Sequence, residues 1–247
     1  MIRRTVLLGL SIVLCACQSS AQPVPSGGNL NPLSKKKLTI AEPSDVAVAE
    51  DGQSLYIVSD NGYLCQTDLD GNILRTSPIT GYDFEGCFQK GPYVYVSEER
   101  TRHFLKLNVS DLRQTATFTV QQFGGRNKGF ESITYNPIRE VMVSVLERDP
   151  VELYELDPVS FAVKNQVPLS GYKDVSAATF FKGKLWILSD ESMSLTRVNP
   201  STYEAEKSWS LPILNPEGVA FLNEGTLLIV SDDMQTLFTF STQGLFE

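Results

Sequence analysis

Five times along the chain the same short pattern returns: an apolar or proline residue, a glutamate or serine, a small residue, then mostly apolar positions. The copies are Pro43-Ser44-Asp45-Val46-Ala47-Val48, Phe84-Glu85-Gly86-Cys87-Phe88, Phe130-Glu131-Ser132-Ile133-Thr134-Tyr135, Val175-Ser176-Ala177-Ala178-Thr179-Phe180 and Pro216-Glu217-Gly218-Val219-Ala220-Phe221. Their second positions lie 41, 46, 45 and 41 residues apart, a period that suits a four-stranded propeller blade.

Each copy is followed by a second run rich in β-branched and aromatic residues that ends in acids: Leu55 to Asp60, Tyr93 to Glu98, Val141 to Glu147, Leu185 to Asp190 and Leu227 to Asp232. Short apolar runs bounded by turn residues read as strands. A third strand follows in each unit, as in Leu153-Tyr154-Glu155-Leu156 and Leu237-Phe238-Thr239-Phe240, with the period of two that half-buried strands need. Asp51-Gly52, Asp70-Gly71 and Lys182-Gly183 mark turns. One four-stranded unit cannot hide both its faces, whereas blades packed around an axis bury them against each other. The fold class expected is therefore all-β: a five-bladed β-propeller with four antiparallel strands per blade. The last repeat supplies about three strands, and Lys36 to Ala41 is expected to add the missing outer one and close the ring.

The segment before the repeats reads as an address. Arg3 and Arg4 precede the apolar run Val6 to Leu14, which is too short to span a bilayer, and Leu14-Cys15-Ala16-Cys17 resembles a bacterial lipobox. Residues 1–16 are expected to be removed as a lipoprotein signal peptide, leaving Cys17 to carry the acyl chains. Gln18 after the cysteine favours the outer membrane, facing the periplasm. Residues 17–34 then form the lipidated cysteine and a flexible tether, and the folded domain spans 35–247. The formal net charge of −8 argues against a nucleic-acid partner and leaves cations open.

Further motifs carry a family resemblance: Ser97-Glu98-Glu99-Arg100, Asn127-Lys128-Gly129-Phe130-Glu131-Ser132-Ile133, Leu146-Glu147-Arg148-Asp149-Pro150, Leu188-Ser189-Asp190-Glu191-Ser192 and Pro216-Glu217-Gly218-Val219-Ala220. Together, from about Leu38 to the C-terminus, the chain resembles the SdiA-regulated (YjiK-like) family, a relative of NHL-repeat propellers. The resemblance implies a five-bladed β-propeller with calcium bound at the central channel.

In a propeller the first strand of each blade lies innermost, so Ser44, Glu85, Glu131, Ser176 and Glu217 are expected to converge near the axis as metal ligands. Carboxylates so close raise one another's pKa unless protons or a cation neutralise them. Calcium, a hard ion taking six to eight oxygens in irregular geometry, suits such a ring better than magnesium. A second acidic set closes the second strands: Asp60, Glu98 with Glu99, Glu147, Asp190 with Glu191, and Asp232 with Asp233. These read first as strand-end charges paired with neighbours such as Arg100 and Arg148, with direct ligation of the ion as the second reading; they can also form a rim that attracts cations. Asp45 and Asp174 are candidates for an outer shell.

His103 is the one histidine, which leaves little for histidine-based catalysis or a multi-histidine zinc site. Cys65 and Cys87 are candidates for a disulfide. Two functional classes follow. The preferred one is a lipid-anchored, calcium-binding interaction module whose partner is an envelope protein or small ligand. The alternative is a calcium-dependent hydrolase of lactones, esters or phosphoesters that uses the axial carboxylates.

Overall fold

In a computed structural model of the 247-residue chain, residues 23–122 and 128–247 are described. The signal segment and Cys17 lie outside them. The N-terminal stretch contributes β1 (Ser26–Asn29) and β2 (Pro32–Lys37). The first blade holds β3 (Pro43–Val48), β4 (Leu55–Ser59), β5 (Tyr63–Thr67) and β6 (Ile73–Thr76). The second holds β7 (Phe84–Lys90), β8 (Tyr93–Glu98), β9 (His103–Asn108) and β10 (Gln114–Thr119). In the third are β11 (Thr134–Asn136), β12 (Val141–Leu146), β13 (Glu152–Leu156) and β14 (Val163–Pro168). The fourth has β15 (Ala177–Phe181), β16 (Lys184–Ser189), β17 (Ser194–Val198) and β18 (Ala205–Ser210). The fifth has β19 (Pro216–Asn223), β20 (Thr226–Ser231) and β21 (Thr236–Ser241), with β2 as its fourth strand.

Burial peaks in the second strand of each blade and is least in the outer one, which explains the composition of each strand. The second strands β4, β12 and β16 are almost wholly buried and read as mostly apolar runs, because a neighbouring blade covers each face. The outer strands β6 and β14 are mostly exposed and carry Arg75, Lys164 and Asn165. Five hydrophobic clusters separate the blades, one at each junction. Trp186, Trp209 and Phe221 lie between the fourth and fifth blades, and Phe104, Phe130 and Tyr154 between the second and third.

Two expectations about the N-terminal segment are corrected. An N-terminal strand closes the ring as expected, but it is β2, which shares only Lys36 and Lys37 with the expected Lys36 to Ala41: Pro32 pairs with Phe240, Lys35 with Phe238 and Lys37 with Thr236, all antiparallel. Leu38 and Ile40 are apolar and sink into the cluster between the fifth and first blades, whereas the lysines and Pro32 suit a solvent-facing edge. The folded part also starts before Lys35. β1 adds to the outer edge of the fourth blade in parallel, pairing Ser26 with Ser208 and Asn29 with Ser210. Gly27 makes this contact feasible, since a Cβ there would lie 2.1 Å from Trp209 Nε1.

Cys65 and Cys87 are both free and buried. They sit in different clusters, Cys65 against the fifth blade and Cys87 at the junction of the first two.

Candidate functional site

The hairpin of first and second strands brings two columns of residues together. In four blades the opener lies opposite the end of the second strand, Pro43 with Ser59, Phe84 with Glu98, Phe130 with Leu146 through an isolated bridge and Pro216 with Ser231, and in the fourth Ala177 opposes Leu188. The residue after each apolar or proline opener therefore lies beside the residue that follows the second strand. The first column is Ser44, Glu85, Glu131, Ser176 and Glu217; the second is Asp60, Glu99, Glu147, Asp190 and Asp232. Small residues at the next position let inner strands of adjacent blades touch. A Cβ on Gly86 would come within 2.6 Å of Ser132 Cα, and one on Gly218 within 2.4 Å of Asp45 Cα.

The result is a cavity of about 300 Å³ on the axis, lined by nine carboxyl groups. Glu85, Glu131, Ser176 and Glu217 of the expected set line it, as do all five members of the second column. Ser44 does not. It is buried behind the wall and donates its hydroxyl to Asp60 Oδ1. Ser176 Oγ donates to the Pro216 carbonyl at 2.8 Å and so links the fourth blade to the fifth.

Sequence reasoning ranked the second column as strand-end charges, and five of its members are instead walls of the same cavity. Their doublet partners point elsewhere. Glu98 accepts from the backbone N–H of Tyr82 at 2.8 Å, Glu191 pairs with Arg148 at 3.1 Å, and Asp233 accepts from Asn215 Nδ2 at 2.9 Å. Asp83 was missed. It stands two residues before Glu85, and the equivalent positions are Glu42, Gly129, Asp174 and Asn215, so the repeat contained the signal as a third polar column. This column clamps the second. Backbone N–H groups of Asp60 and Glu99 donate to the carbonyls of Glu42 at 3.2 Å and Asp83 at 2.9 Å, and that of Asp190 donates to Asp174 Oδ2 at 3.0 Å.

Asp174 thus supports a wall residue from behind, but Asp45 belongs to another chamber. Asp45 lines a smaller space of about 110 Å³ with Cys87, Phe88 and Phe181, and accepts from the Cys87 backbone N–H at 2.9 Å. His103 faces Glu98 at 3.5 Å and does not line the acidic cavity.

Glu85, Glu131 and Glu217 are half-buried on the cavity wall, and Glu131 shares a side-chain hydrogen bond with Glu99. Burial pushes the carboxyls of Glu85 and Glu131 well above the ordinary range, and neighbouring acids push them further: Asp60 and Asp83 for Glu85, Glu85 and Glu99 for Glu131. Burial, then Asp190 and Asp60, brings Glu217 up to about 8. Glu99 and Asp190 rise to about 7 and Asp232 to about 6, again mainly through burial. Nine acids share the wall with only two guanidinium groups, so their remaining charge must be neutralised by protons or by a cation.

Carboxylate oxygens of Asp60, Asp83 and Glu85 lie within 4.8 Å of one another, close enough for one ion to touch all three. Two guanidinium groups also reach the wall. Arg100 Nε pairs with Asp83, and Arg148 pairs with Glu147 at 3.2 Å and Glu191 at 3.1 Å.

Fold and site together define a five-bladed β-propeller with an acidic cavity on its axis. Within that class the chain belongs to the SdiA-regulated family, which it matches over residues 29–241. Among solved structures it is similar to glutaminyl cyclase of Myxococcus xanthus, with 13% identity, a TM-score of 0.68, and coverage of 86% of this chain and 97% of that one. A protein of unknown function from Bacteroides caccae is similar at 15% identity and a TM-score of 0.57, covering 76% of this chain and 70% of that one. At these identities the likeness is one of fold.

Proposed function

We propose that this protein is a lipid-anchored propeller of the bacterial cell envelope that binds calcium in its axial cavity and acts there as a binding module. The observation that carries the cation reading is the meeting of nine carboxyl groups from five blades in one cavity. Among the described residues every metal-ligating side chain on that wall offers oxygen, with no imidazole or thiol, which favours a hard cation over zinc or copper. Asp60, Asp83 and Glu85 would hold the ion, with Glu131 and Glu217 within the same chamber to complete an oxygen shell. When bound, calcium supplies the positive charge that lets these buried acids ionise. The lipobox supports the anchor through Cys17, and the tether shortens to the residues before Ser26.

Calorimetric titration of calcium into chelator-treated protein tests this reading. Saturable binding that weakens in Glu131→Gln and Asp83→Asn supports it, and absence of binding overturns it. Loss of palmitate labelling in Cys17→Ser tests the anchor.

One observation favours the alternative of a calcium-dependent hydrolase: Glu217, near 8, holds a proton at neutral pH that a general acid could deliver. A bound cation removes that advantage, because it draws the same carboxyl into its ionised form. Binding is therefore preferred. Calcium-dependent turnover of a lactone, aryl ester, phosphoester or glutaminyl peptide, lost in Glu217→Gln, would reverse the order. The peptide belongs in the panel because the Myxococcus xanthus neighbour bears the name glutaminyl cyclase.

A further inference from the structure

Resting on the cation reading above, we propose that Arg100 and Arg148 make the calcium-loaded cavity a receptor for an oxyanion. The ligand is a small molecule whose phosphate or carboxylate group bridges the ion and the two guanidinium groups. The arginines hold equivalent places in neighbouring blades, each directly after a wall acid, Glu99 or Glu147. In the other three blades that place is taken by Asn61, Glu191 and Asp233, so positive charge is confined to one side of the mouth. They are the only cationic side chains on the wall among the described residues, and both are about half exposed, at 52% and 48%.

A site built only to hold a cation gains nothing from two guanidinium groups on its rim, because they repel the ion. Beside a bound ion they provide what an oxyanion requires. The ion takes one oxygen, and the planar N–H forks, which match carboxylate and phosphate geometry, take the others. Their present partners fit this role. Arg100 leans on Asp83, and Arg148 is shared between Glu147 of the cavity wall at 3.2 Å and Glu191 outside it at 3.1 Å. An ion held by Asp60, Asp83 and Glu85 would compete with Arg100 for Asp83 and so free that fork for a ligand, while Arg148 stands on the same side of the mouth. The Arg100 contact uses Nε alone, and its two terminal amino groups meet no acceptor among the described residues. Size points the same way. About 300 Å³ is far more than one ion fills and reaches the range of small-molecule sites.

The test uses full-length protein in detergent, titrated calorimetrically with phenyl phosphate and with benzoate, at saturating calcium and again in chelator. The two probes share a ring and differ in head group, so the tighter one identifies the oxyanion. At least one is expected to bind the calcium form about tenfold or more tighter than the chelated form. Arg148→Gln and Arg100→Gln are each expected to weaken that binding by about tenfold while calcium affinity stays level or rises, and Arg148→Lys to restore only part of it. Calcium binding with neither probe bound, or with binding unchanged in the glutamine variants, overturns the oxyanion site and leaves the cation reading intact. Failure of calcium itself to bind overturns both.

Discussion

The backbone N–H of Cys87 donates to the Asp45 carboxyl at 2.9 Å, so one buried side chain of the first blade holds the innermost strand of the second. The same carboxyl accepts from Val46 at 2.8 Å and from the backbone of Val219 in the fifth blade. Burial drives its pKa well above the usual range, and the three N–H groups only partly oppose that. Asp45 therefore joins three blades across the axis. Asp45→Ala strands buried donors and is expected to cost roughly 2–5 kcal/mol in denaturant unfolding. Asp45→Asn keeps one carbonyl oxygen and should lose less. An unchanged midpoint for the alanine variant would refute the clamp.

The apo protein should lose stability as pH rises. Glu99, Asp190 and Glu217 have folded-state pKa values of about 7, 7 and 8, above the ordinary carboxyl range they recover on unfolding. Above that ordinary range the folded state binds more protons than the unfolded one, so stability falls as pH climbs through the folded values. Melting temperature in chelator is expected to drop between about pH 5 and pH 8. A rise over that interval contradicts the protonated cavity.

Calcium should displace those protons. At pH 6.5 to 7, titrations in two buffers of different ionisation enthalpy are expected to show release of about one or more protons per ion bound. Calcium should also flatten the decline in melting temperature with pH, since the ion replaces the protons as the neutralising charge. Binding with no proton release would place the ion elsewhere.

Ring closure by β2 gives a length-dependent expectation. A chain beginning at Leu38 lacks the strand that pairs with β21 and leaves Phe238 and Phe240 beside an open edge. It is expected to lose several kcal/mol, or to aggregate, relative to a chain beginning at Pro23. One beginning at Pro32 keeps the closing strand but loses β1 and should fall between the two. Equal midpoints for all three would mean that the N-terminal strands are passengers.

Burial should keep both thiols silent. It raises the pKa of Cys65 and, more strongly, that of Cys87, whose neighbour Asp45 adds to the shift. Native protein is expected to react with a thiol reagent only as fast as it unfolds, and reducing agent should leave its melting temperature unchanged. Rapid labelling of either cysteine without unfolding would contradict the packing.

Where the sequence misled, the reason is physical. Repetition revealed the first column because glutamate or serine recurs at a fixed distance from an apolar opener, as in Phe84-Glu85 and Pro216-Glu217. The second column was equally regular, yet an acid at a strand end is so common on protein surfaces that for Asp60 and Glu147 the strand-end reading outranked ligation. Asp83 was hidden because its column mixes residue types and becomes visible only once the neighbouring columns are aligned. The early start of the fold was hidden too. Ser26–Asn29 is glycine-rich and polar, and only the exposed edge of β18 with Trp209 beside it turns that segment into a strand.

The order of apolar runs along the chain determined by itself the number of blades, the all-β class and the residues that begin each inner strand, because strand period and repeat length are local properties. Only the closed ring decided that the second column and Asp83 share one cavity with the axial glutamates, that Ser44 stands behind Asp60, and that Arg100 and Arg148 flank the same side. Those facts depend on the angle between blades and the distance of each residue from the axis, and neither quantity is written along a single strand.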